Sequence, residues 1–329
     1  MTVAINTSRV SVYAGFVKLE HTIFSLPLIF AGALLGARSW SQHLPGFIAG
    51  EPSFRAVFSA PVIGWPHHLL ANQRLAPEGP GLLSAILQQV VGWILLAAVG
   101  ARVTAMGLNR LIDAELDRRN PRTKSRELAR GAMHSWEGWL LVLIAGALYL
   151  LSAAAIAPIC LQLSPIPLAL FVIYPYLKRF TSLAHLGLGL AWSMAPLGGW
   201  LAVSKSLAGI GDVGWLWLFS VLWVTGFDII YATMDIDFDR VEGLHSIPAW
   251  IGQPNALRLA TMLHIAAFAM LIMLWRAQLH SAASLLCLAP IAALFIWQHR
   301  ISERNPAFAF FQLNALLGFL VFGFVLAGT

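Results

Sequence analysis

The chain has 329 residues, of which 58% are hydrophobic and only 11% are charged. A soluble domain carries about 25% charged residues, so this composition excludes an ordinary soluble protein and indicates an integral membrane protein. The formal charge of +6 arises from cations grouped between apolar runs, as in membrane topology, and no nucleic-acid partner is expected.

Apolar runs long enough to cross a bilayer as helices occur nine times along the chain. None of them alternates with the period of a β-strand, so the predicted fold class is all-α, a polytopic membrane helix bundle. The whole chain, 1–329, is predicted to form one integral membrane domain. The predicted spans are 19–37, 85–110, 136–157, 163–178, 183–204, 213–235, 255–276, 281–299 and 306–327.

The distribution of Lys and Arg predicts the orientation of these spans. Fourteen of the 21 cations fall on the side of the N-terminus and of the loops 118–134 and 237–254, and five fall on the other side, which includes a long loop at 38–84. The positive-inside rule places the N-terminus and both basic loops in the cytoplasm, and nine spans then place the C-terminus outside. A multi-pass protein of the cell inner membrane is expected.

One acidic motif occurs twice. Asp113-Ala-Glu115-Leu-Asp117-Arg118 recurs as Asp235-Ile-Asp237-Phe-Asp239-Arg240. The copies end the second and the sixth spans, which run in the same direction, so both motifs emerge on the cytoplasmic side. This arrangement predicts an internal duplication of a four-helix unit.

Helical periodicity sorts the acids of each copy. The middle acids, Glu115 and Asp237, lie about 200° around the helix from the first acid of their copy and face elsewhere. The groups that share a face are Asn109, Asp113 and Asp117 in the first copy, and Tyr231, Asp235 and Asp239 in the second.

Four acids that face one region repel one another unless cations intervene. Solvated helix ends are the alternative, but acids near helix C-termini, four residues apart, are unfavourable. Carboxylates of this kind suit magnesium, which binds them together with substrate phosphates. Lys178 and Arg179 add cations at another cytoplasmic span end, where topological anchoring is the alternative role. Asp228 lies inside the sixth span, two helical turns before Asp235, which marks it as functional.

These motifs resemble those of the UbiA-type superfamily of intramembrane aromatic prenyltransferases, and the likeness covers nearly the whole chain. The family pattern N-D-x-x-D-x-x-x-D is matched by Asn109, Asp113 and Asp117, followed by Arg122, Thr123 and Arg126. The pattern D-x-x-Y-A-x-x-D-x-x-x-D is matched by Asp228, Tyr231, Ala232, Asp235 and Asp239. The element Y-x-x-x-K is matched by Tyr174 and Lys178.

Two departures from the family pattern stand out. Arg110 occupies the position of the family's second acid, so the role of that acid does not carry over. In the first-helix element, Lys18 and His21 take the two basic positions and Thr22 replaces a proline. A basic residue there suits an acceptor carboxylate, although a histidine is a weaker cation than an arginine, and a helix-interface role is the alternative for His21.

The resemblance implies a nine-helix bundle with a central cavity that opens to the cytoplasmic side and to lipid. Its implied cofactor is Mg²⁺, held by Asn109, Asp113, Asp117, Asp235 and Asp239. Its implied donor is a polyprenyl diphosphate, bound by Asn109, Arg118, Arg122, Lys178, Arg179 and Arg240. The four paired acids, Tyr174 and Lys178 are the implied catalytic residues. The implied residues for a small aromatic acceptor are Lys18, His21, Asp228 and Tyr231.

The closest subgroup in this resemblance is 4-hydroxybenzoate polyprenyltransferase-like, whose reaction proceeds through an allylic carbocation in ubiquinone or menaquinone biosynthesis. Both 4-hydroxybenzoate and 1,4-dihydroxy-6-naphthoate fit as acceptors. Haem or chlorin prenylation is an alternative within the superfamily. A transporter that uses intramembrane carboxylates is an alternative outside it, but its acids should lie near the midplane of the bilayer rather than at span ends.

Overall fold

The computed structural model describes residues 9–18, 22–47 and 81–329, and these ranges are helical without any strand. The first four helices are α1 (Arg9–Val17), α2 (Thr22–Phe47), α3 (Gly81–Ile112) and α4 (Ala114–Arg119). The next five are α5 (Ser135–Ile156), α6 (Pro158–Leu163), α7 (Pro165–Leu177), α8 (Ala184–Ser204) and α9 (Gly211–Ala232). The last five are α10 (Ile236–Glu242), α11 (Ile247–Ile251), α12 (Gln253–Leu274), α13 (Ala282–Ser302) and α14 (Pro306–Leu326).

Eight helical segments of the described ranges are long and apolar enough to cross a membrane. Helix α2 adds a shorter apolar stretch, Ser25–Ser39, so the described helices are compatible with nine spans. The predicted 38–84 loop is too long, because α2 continues to Phe47 and α3 begins at Gly81. Hydropathy marks the part of a helix that meets lipid, whereas the helix itself can project beyond it. Residues 48–80 lie outside the described part of the chain.

The predicted fourth span, 163–178, begins too late. The structure has a span from Pro158 to Leu177, which consists of α6 and α7 with a break at Ser164. Pro158 and Pro165 each occupy the first turn of their helix, where the missing N–H is not needed. The Ser164 hydroxyl donates to the Leu161 carbonyl at 2.7 Å, which satisfies backbone at the break.

Close helix contacts in the bundle depend on small residues. Gly32 of α2 and Gly199 of α8 each lie directly against the backbone of the other helix. A Cβ at Gly32 would be 2.0 Å from the Pro196 oxygen, and a Cβ at Gly199 would be 1.8 Å from the Ile29 oxygen. No side chain fits at either position, so these two glycines let α2 and α8 pack backbone to backbone, as small residues do in membrane bundles.

The span Gly211–Glu242 begins with α9 and ends in the second acidic motif, and it is the most enclosed of the eight spans in the described ranges. Polar groups deep in the bundle tie it to the C-terminal helices. The Trp223 indole donates to Asn314 at 2.9 Å, and His264, which is 2% exposed, contacts the Trp223 carbonyl at 3.1 Å and His299 at 2.9 Å. Such hydrogen bonds join α9, α12, α13 and α14 without leaving polar groups unpaired in an apolar interior.

Candidate active site

Both copies of the acidic motif break their helix at the first acid. Asp113 separates α3 from α4 with φ −94° and ψ 2°, and Asp235 precedes α10 with φ −114° and ψ 9°. The break is slight, since the N–H of Asp117 still donates to the Asp113 carbonyl at 2.8 Å. The equivalent positions therefore share an uncommon backbone conformation, which is compatible with internal duplication.

The first acid, Asp113, is buried with 3% exposure and is surrounded by cations. The Lys178 ammonium lies 2.6 Å from Oδ2, and Arg179 lies 3.9 Å from Oδ1. Asn109 donates to Oδ2 at 3.4 Å. Burial raises the pKa of Asp113, and the Lys178 ammonium opposes that rise. Oδ1 is buried and has no hydrogen-bond partner, so this oxygen is left for a ligand.

The second motif is bound by residues that follow the first. The Arg122 guanidinium forms an ion pair with both carboxylate oxygens of Asp235, and its Nε lies 2.8 Å from Oδ1. The same guanidinium donates to the Tyr231 hydroxyl at 2.6 Å and lies 4.7 Å from the centre of that ring. Asn120 donates to Asp235 at 2.9 Å. Burial lowers the pKa of Arg122, but its bonds to Asp235 and Tyr231 outweigh this and raise it, so the cation is permanent.

The last acid of each motif, Asp117 or Asp239, is also buried. Arg126 donates to both oxygens of Asp117 at 2.8 Å. Asp239 is 9% exposed, and the Ser246 hydroxyl lies near its carboxylate. The backbone N–H of His245 donates to the Lys178 carbonyl at 2.7 Å, which ties the segment after the second motif to the cation that binds Asp113. The two motifs thus form one site that includes the end of α7.

Several residues expected at the site lie elsewhere. Arg118 bonds to exposed Glu115 at 2.9 Å, because it follows Asp117 by one residue and points about 100° away from it. Arg240 donates to the Ala249 carbonyl at 3.2 Å on the exposed side of α10. Each arginine is bonded to another partner in this structure, and the expectation that both bind the diphosphate stays a prediction. Lys18 ends α1 with a left-handed backbone, φ 48°, and His21 falls outside the described residues.

Arg102, a partly buried cation in the second span, was not predicted as a site residue. Arg102 lies two helical turns before Asn109, on the same face of α3. Its guanidinium carbon is 5.3 Å from the centre of the Trp192 ring, and its Nε is buried without a hydrogen-bond partner. An arginine inside a span is energetically costly, so its presence in this apolar run was a sequence signal of a functional residue.

The comparison with known protein families decides the class. Residues 75–322 match the family described as the UbiA prenyltransferase family. The chain belongs to the UbiA prenyltransferase family. It is therefore a prenyltransferase and a multi-pass membrane protein, which excludes the transporter alternative.

Similar proteins agree with this assignment. A 4-hydroxybenzoate octaprenyltransferase of Vibrio atlanticus is 29% identical over 260 residues, which cover 78% of this chain and 88% of that protein. One of Shewanella denitrificans is 28% identical over 266 residues, with 78% and 86% covered. The apo structure of a UbiA homologue from Aeropyrum pernix K1 has a TM-score of 0.73 and 31% identity, and covers 94% of this chain and 98% of that one.

A more distant UbiA homologue, from Archaeoglobus fulgidus, was solved with DMAPP and Mg²⁺ bound. It has a TM-score of 0.60 at 17% identity, and covers 96% of this chain and 98% of that one. At this identity the likeness supports the fold of the bundle alone.

In this UbiA-family chain the arginine that departs from the family pattern has its own partner. Arg110 is 5% exposed, and its guanidinium lies 2.9 Å from a Glu127 oxygen. Glu127 in turn packs against α1, since a Cβ on Gly15 would lie 2.4 Å from its Oε1. The pair therefore fastens the loop that carries Arg122 and Arg126 to both α3 and α1.

We expect Glu127→Ala to destabilise the protein by about 3 kcal/mol, because it leaves the Arg110 charge buried and unpaired. The double variant Arg110→Met/Glu127→Met should be more stable than the single one, since no charge remains. Thermal unfolding in detergent, followed by tryptophan fluorescence, measures both. Glu115→Ala breaks an exposed pair with Arg118 and is the matched control, with an expected loss of about 0–1 kcal/mol. Equal losses at Glu127 and Glu115 would contradict the structural role of the buried pair.

Proposed function

We propose that this prenyltransferase moves a polyprenyl group from a polyprenyl diphosphate to a hydroxylated aromatic carboxylate, in ubiquinone or menaquinone biosynthesis. The observation that carries the proposal is the meeting of the two acidic motifs through cations that follow two helices, α4 and α7. Acids of this number suit metal ions, and the cations beside them suit a diphosphate. The names of the similar Vibrio and Shewanella proteins support an aromatic carboxylate rather than haem or chlorin as acceptor.

The donor set fits Mg²⁺ in its chemistry. Asp113, Asp117, Asp235 and Asp239, with Asn109, would hold the ion through hard oxygen atoms. The buried, unpartnered Oδ1 of Asp113 supports this assignment. Within the ranges that the structure describes, no group of three or more acids is already placed to hold a metal, because most of these carboxylates bind a cation instead. When bound, Mg²⁺ supplies positive charge that stabilises the leaving diphosphate.

The cations of the site are the protein's own groups for the diphosphate. Lys178, Arg179 and Arg122 are each partly exposed beside the acids, with 30%, 36% and 29% of the side chain accessible. Arginine and lysine at such positions bind phosphate oxygens and neutralise the charge that develops as the bond to the prenyl group breaks. Tyr174 interacts electrostatically with Asp113, which supports a role for it at the same end of the donor.

The acceptor is placed deeper in the bundle. Arg102 has the charge and the free donor to pair with the carboxylate, and Trp192 offers an aromatic face beside it. Asp228 and Tyr231 lie one turn apart on α9, at a depth in the bundle between that of Arg102 and that of the acidic motifs. These two side chains suit the hydroxyl group of the acceptor. A ring carbon of the acceptor then bonds to the allylic carbon of the cation. The ring afterwards loses the proton from that carbon and becomes aromatic again. Lys18 and His21 are not needed for this arrangement.

The orientation follows from the charge distribution. The two acidic motifs lie at one end of the bundle with the basic loops, and we place that end, together with the N-terminus, on the cytoplasmic side of the inner membrane. The C-terminus is then outside. The lipid bilayer holds the polyprenyl chain of the donor.

An acceptor panel tests the proposal. Purified protein in nanodiscs is given a polyprenyl diphosphate, Mg²⁺ and either 4-hydroxybenzoate or 1,4-dihydroxy-6-naphthoate, and the product mass is measured. One of the two is expected to be prenylated, and removal of metal by EDTA should abolish product until Mg²⁺ is restored. Transfer to neither acid, with haem or a chlorin prenylated instead, would overturn the assigned acceptor class. Full activity after EDTA would overturn the metal dependence.

A further inference from the structure

His185, the second residue of α8, is a buried histidine with both ring nitrogens engaged. It is 5% exposed, and its Nδ1 lies 2.7 Å from Asp228 Oδ2. The backbone N–H of Ile247 donates to Nε2 at 3.3 Å. Because a backbone N–H can only donate, Nε2 is the acceptor, and the ring proton of neutral imidazole sits on Nδ1. His185 therefore donates a hydrogen bond to the Asp228 carboxylate.

Asp228 has one oxygen bound and one oxygen open. Its side chain is 20% exposed, although its neighbours Phe227 and Ile229 are 3% and 0% exposed. Among the residues that the structure describes, Oδ1 has no hydrogen-bond partner. A carboxylate inside a span faces a polar opening within the bundle rather than lipid. Tyr231 follows one turn later on α9 and accepts a hydrogen bond from Arg122, which also binds Asp235, so Asp228 lies on the side of α9 that meets the site of the two acidic motifs.

We propose that His185 is a positioning residue for the acceptor, which holds Asp228 by Oδ2 so that Oδ1 accepts a hydrogen bond from the acceptor hydroxyl. The inference rests on the proposed function. A hydroxyl that donates to a carboxylate gains electron density on its ring, which makes the ring a better nucleophile toward the allylic carbon. With Arg102 at the carboxylate end, Asp228 at the hydroxyl end fixes which ring carbon faces the donor.

A purely structural role makes a different prediction. His185 also holds the N-terminus of α11 through Ile247, next to Ser246, whose hydroxyl lies near Asp239. If that anchor were its purpose, loss of His185 would disturb the second acidic motif and so weaken binding of the donor. A positioning role predicts an effect on the acceptor that depends on the hydrogen bond to Asp228. An anchoring role predicts an effect on the donor that depends on the hydrogen bond from Ile247.

Two substitutions separate the bonds. His185→Leu removes both, and we expect the KM for the acceptor to rise about 10- to 100-fold while the KM for the donor stays unchanged. His185→Asn places an amide near the position of Nδ1, so it keeps a donor for Asp228 and loses the acceptor for Ile247. Its acceptor KM should stay close to that of the wild type. Equal losses in the two variants, or a rise in the donor KM, would overturn the inference.

A double-mutant cycle with Asp228→Asn completes the test. If His185 acts through Asp228, adding His185→Leu to Asp228→Asn causes no further loss, whereas multiplicative losses would contradict the inference. His264→Leu is the control, because His264 is equally buried and bridges helices away from the acids. It should lower the melting temperature without a change in acceptor KM. Failure of the proposed function would show instead in the wild type, as absence of transfer to any hydroxylated aromatic acid.

Discussion

Alanine at Asp113 or at Asp235 is expected to lower prenyl transfer by about 10³-fold or more, measured as product formed at saturating donor and acceptor. Each substitution removes a carboxylate suited to the metal and leaves a cation without its partner: Lys178 in one case and Arg122 in the other. Under the proposed function the two motifs serve one diphosphate, so the double variant should be scarcely worse than either single variant, as is usual for groups that act as a unit.

Glu115→Ala is the matched control for this experiment. Glu115 belongs to the same acidic motif but is exposed and bonded to Arg118, so its loss should leave turnover near that of the wild type. Melting temperatures of all variants confirm that the proteins remain folded. Full turnover in Asp113→Ala or Asp235→Ala would show that the acids serve the fold and not the reaction.

Replacement of Arg102 with methionine is expected to raise the acceptor KM about 10- to 100-fold, because a carboxylate then enters an apolar part of the bundle without its cation. The KM for the polyprenyl diphosphate should not change. Methionine keeps much of the side-chain volume beside Trp192, so packing is largely retained. Initial rates with each substrate varied in turn provide the measurement.

A substrate without the carboxylate sharpens this result. A phenol that lacks the acid group should be prenylated equally by the wild type and by Arg102→Met, since neither makes use of the cation. Arg258→Met, at an exposed arginine that bonds to Asn255 on α12, is the control. If Arg102→Met raised the donor KM instead, Arg102 would belong to the diphosphate site.

The sequence was sufficient for the parts of the molecule that depend on local periodicity. Apolar run lengths located the spans, and the spacing of four residues within the repeated motif identified which acids share a face. Because the spans alternate in direction, their count predicted that Lys178 lies at the same end of the bundle as both motifs. In the structure the Lys178 ammonium lies 2.6 Å from Asp113. These results follow because a helix in lipid satisfies its own backbone and so leaves few alternatives.

Contacts between distant segments could not be predicted in this way. Arg118 was expected at the diphosphate and Arg126 had no assigned role, but the fold pairs Arg126 with Asp117 and leaves Arg118 on exposed Glu115. The side chain of Asn120 accepts the N–H of Arg122 at 2.9 Å and sets the turn that follows α4. His185 gave no signal on its own because its partners lie on α9 and α11. A lone histidine near the start of an apolar run indicates nothing until its neighbours in space are known.

The cations that occupy the carboxylates have a consequence for how ligands bind. A magnesium ion that arrives alone must compete with Lys178, Arg122 and Arg126 for the same oxygen atoms. A diphosphate that arrives alone must draw those cations away from their acids and leave buried negative charge behind. When both arrive, the diphosphate takes the cations and the metal takes the acids, so neither exchange is opposed. Under the proposed function, each ligand is therefore expected to strengthen the affinity for the other by the same factor, and the site is expected to retain either ligand only weakly when it binds alone.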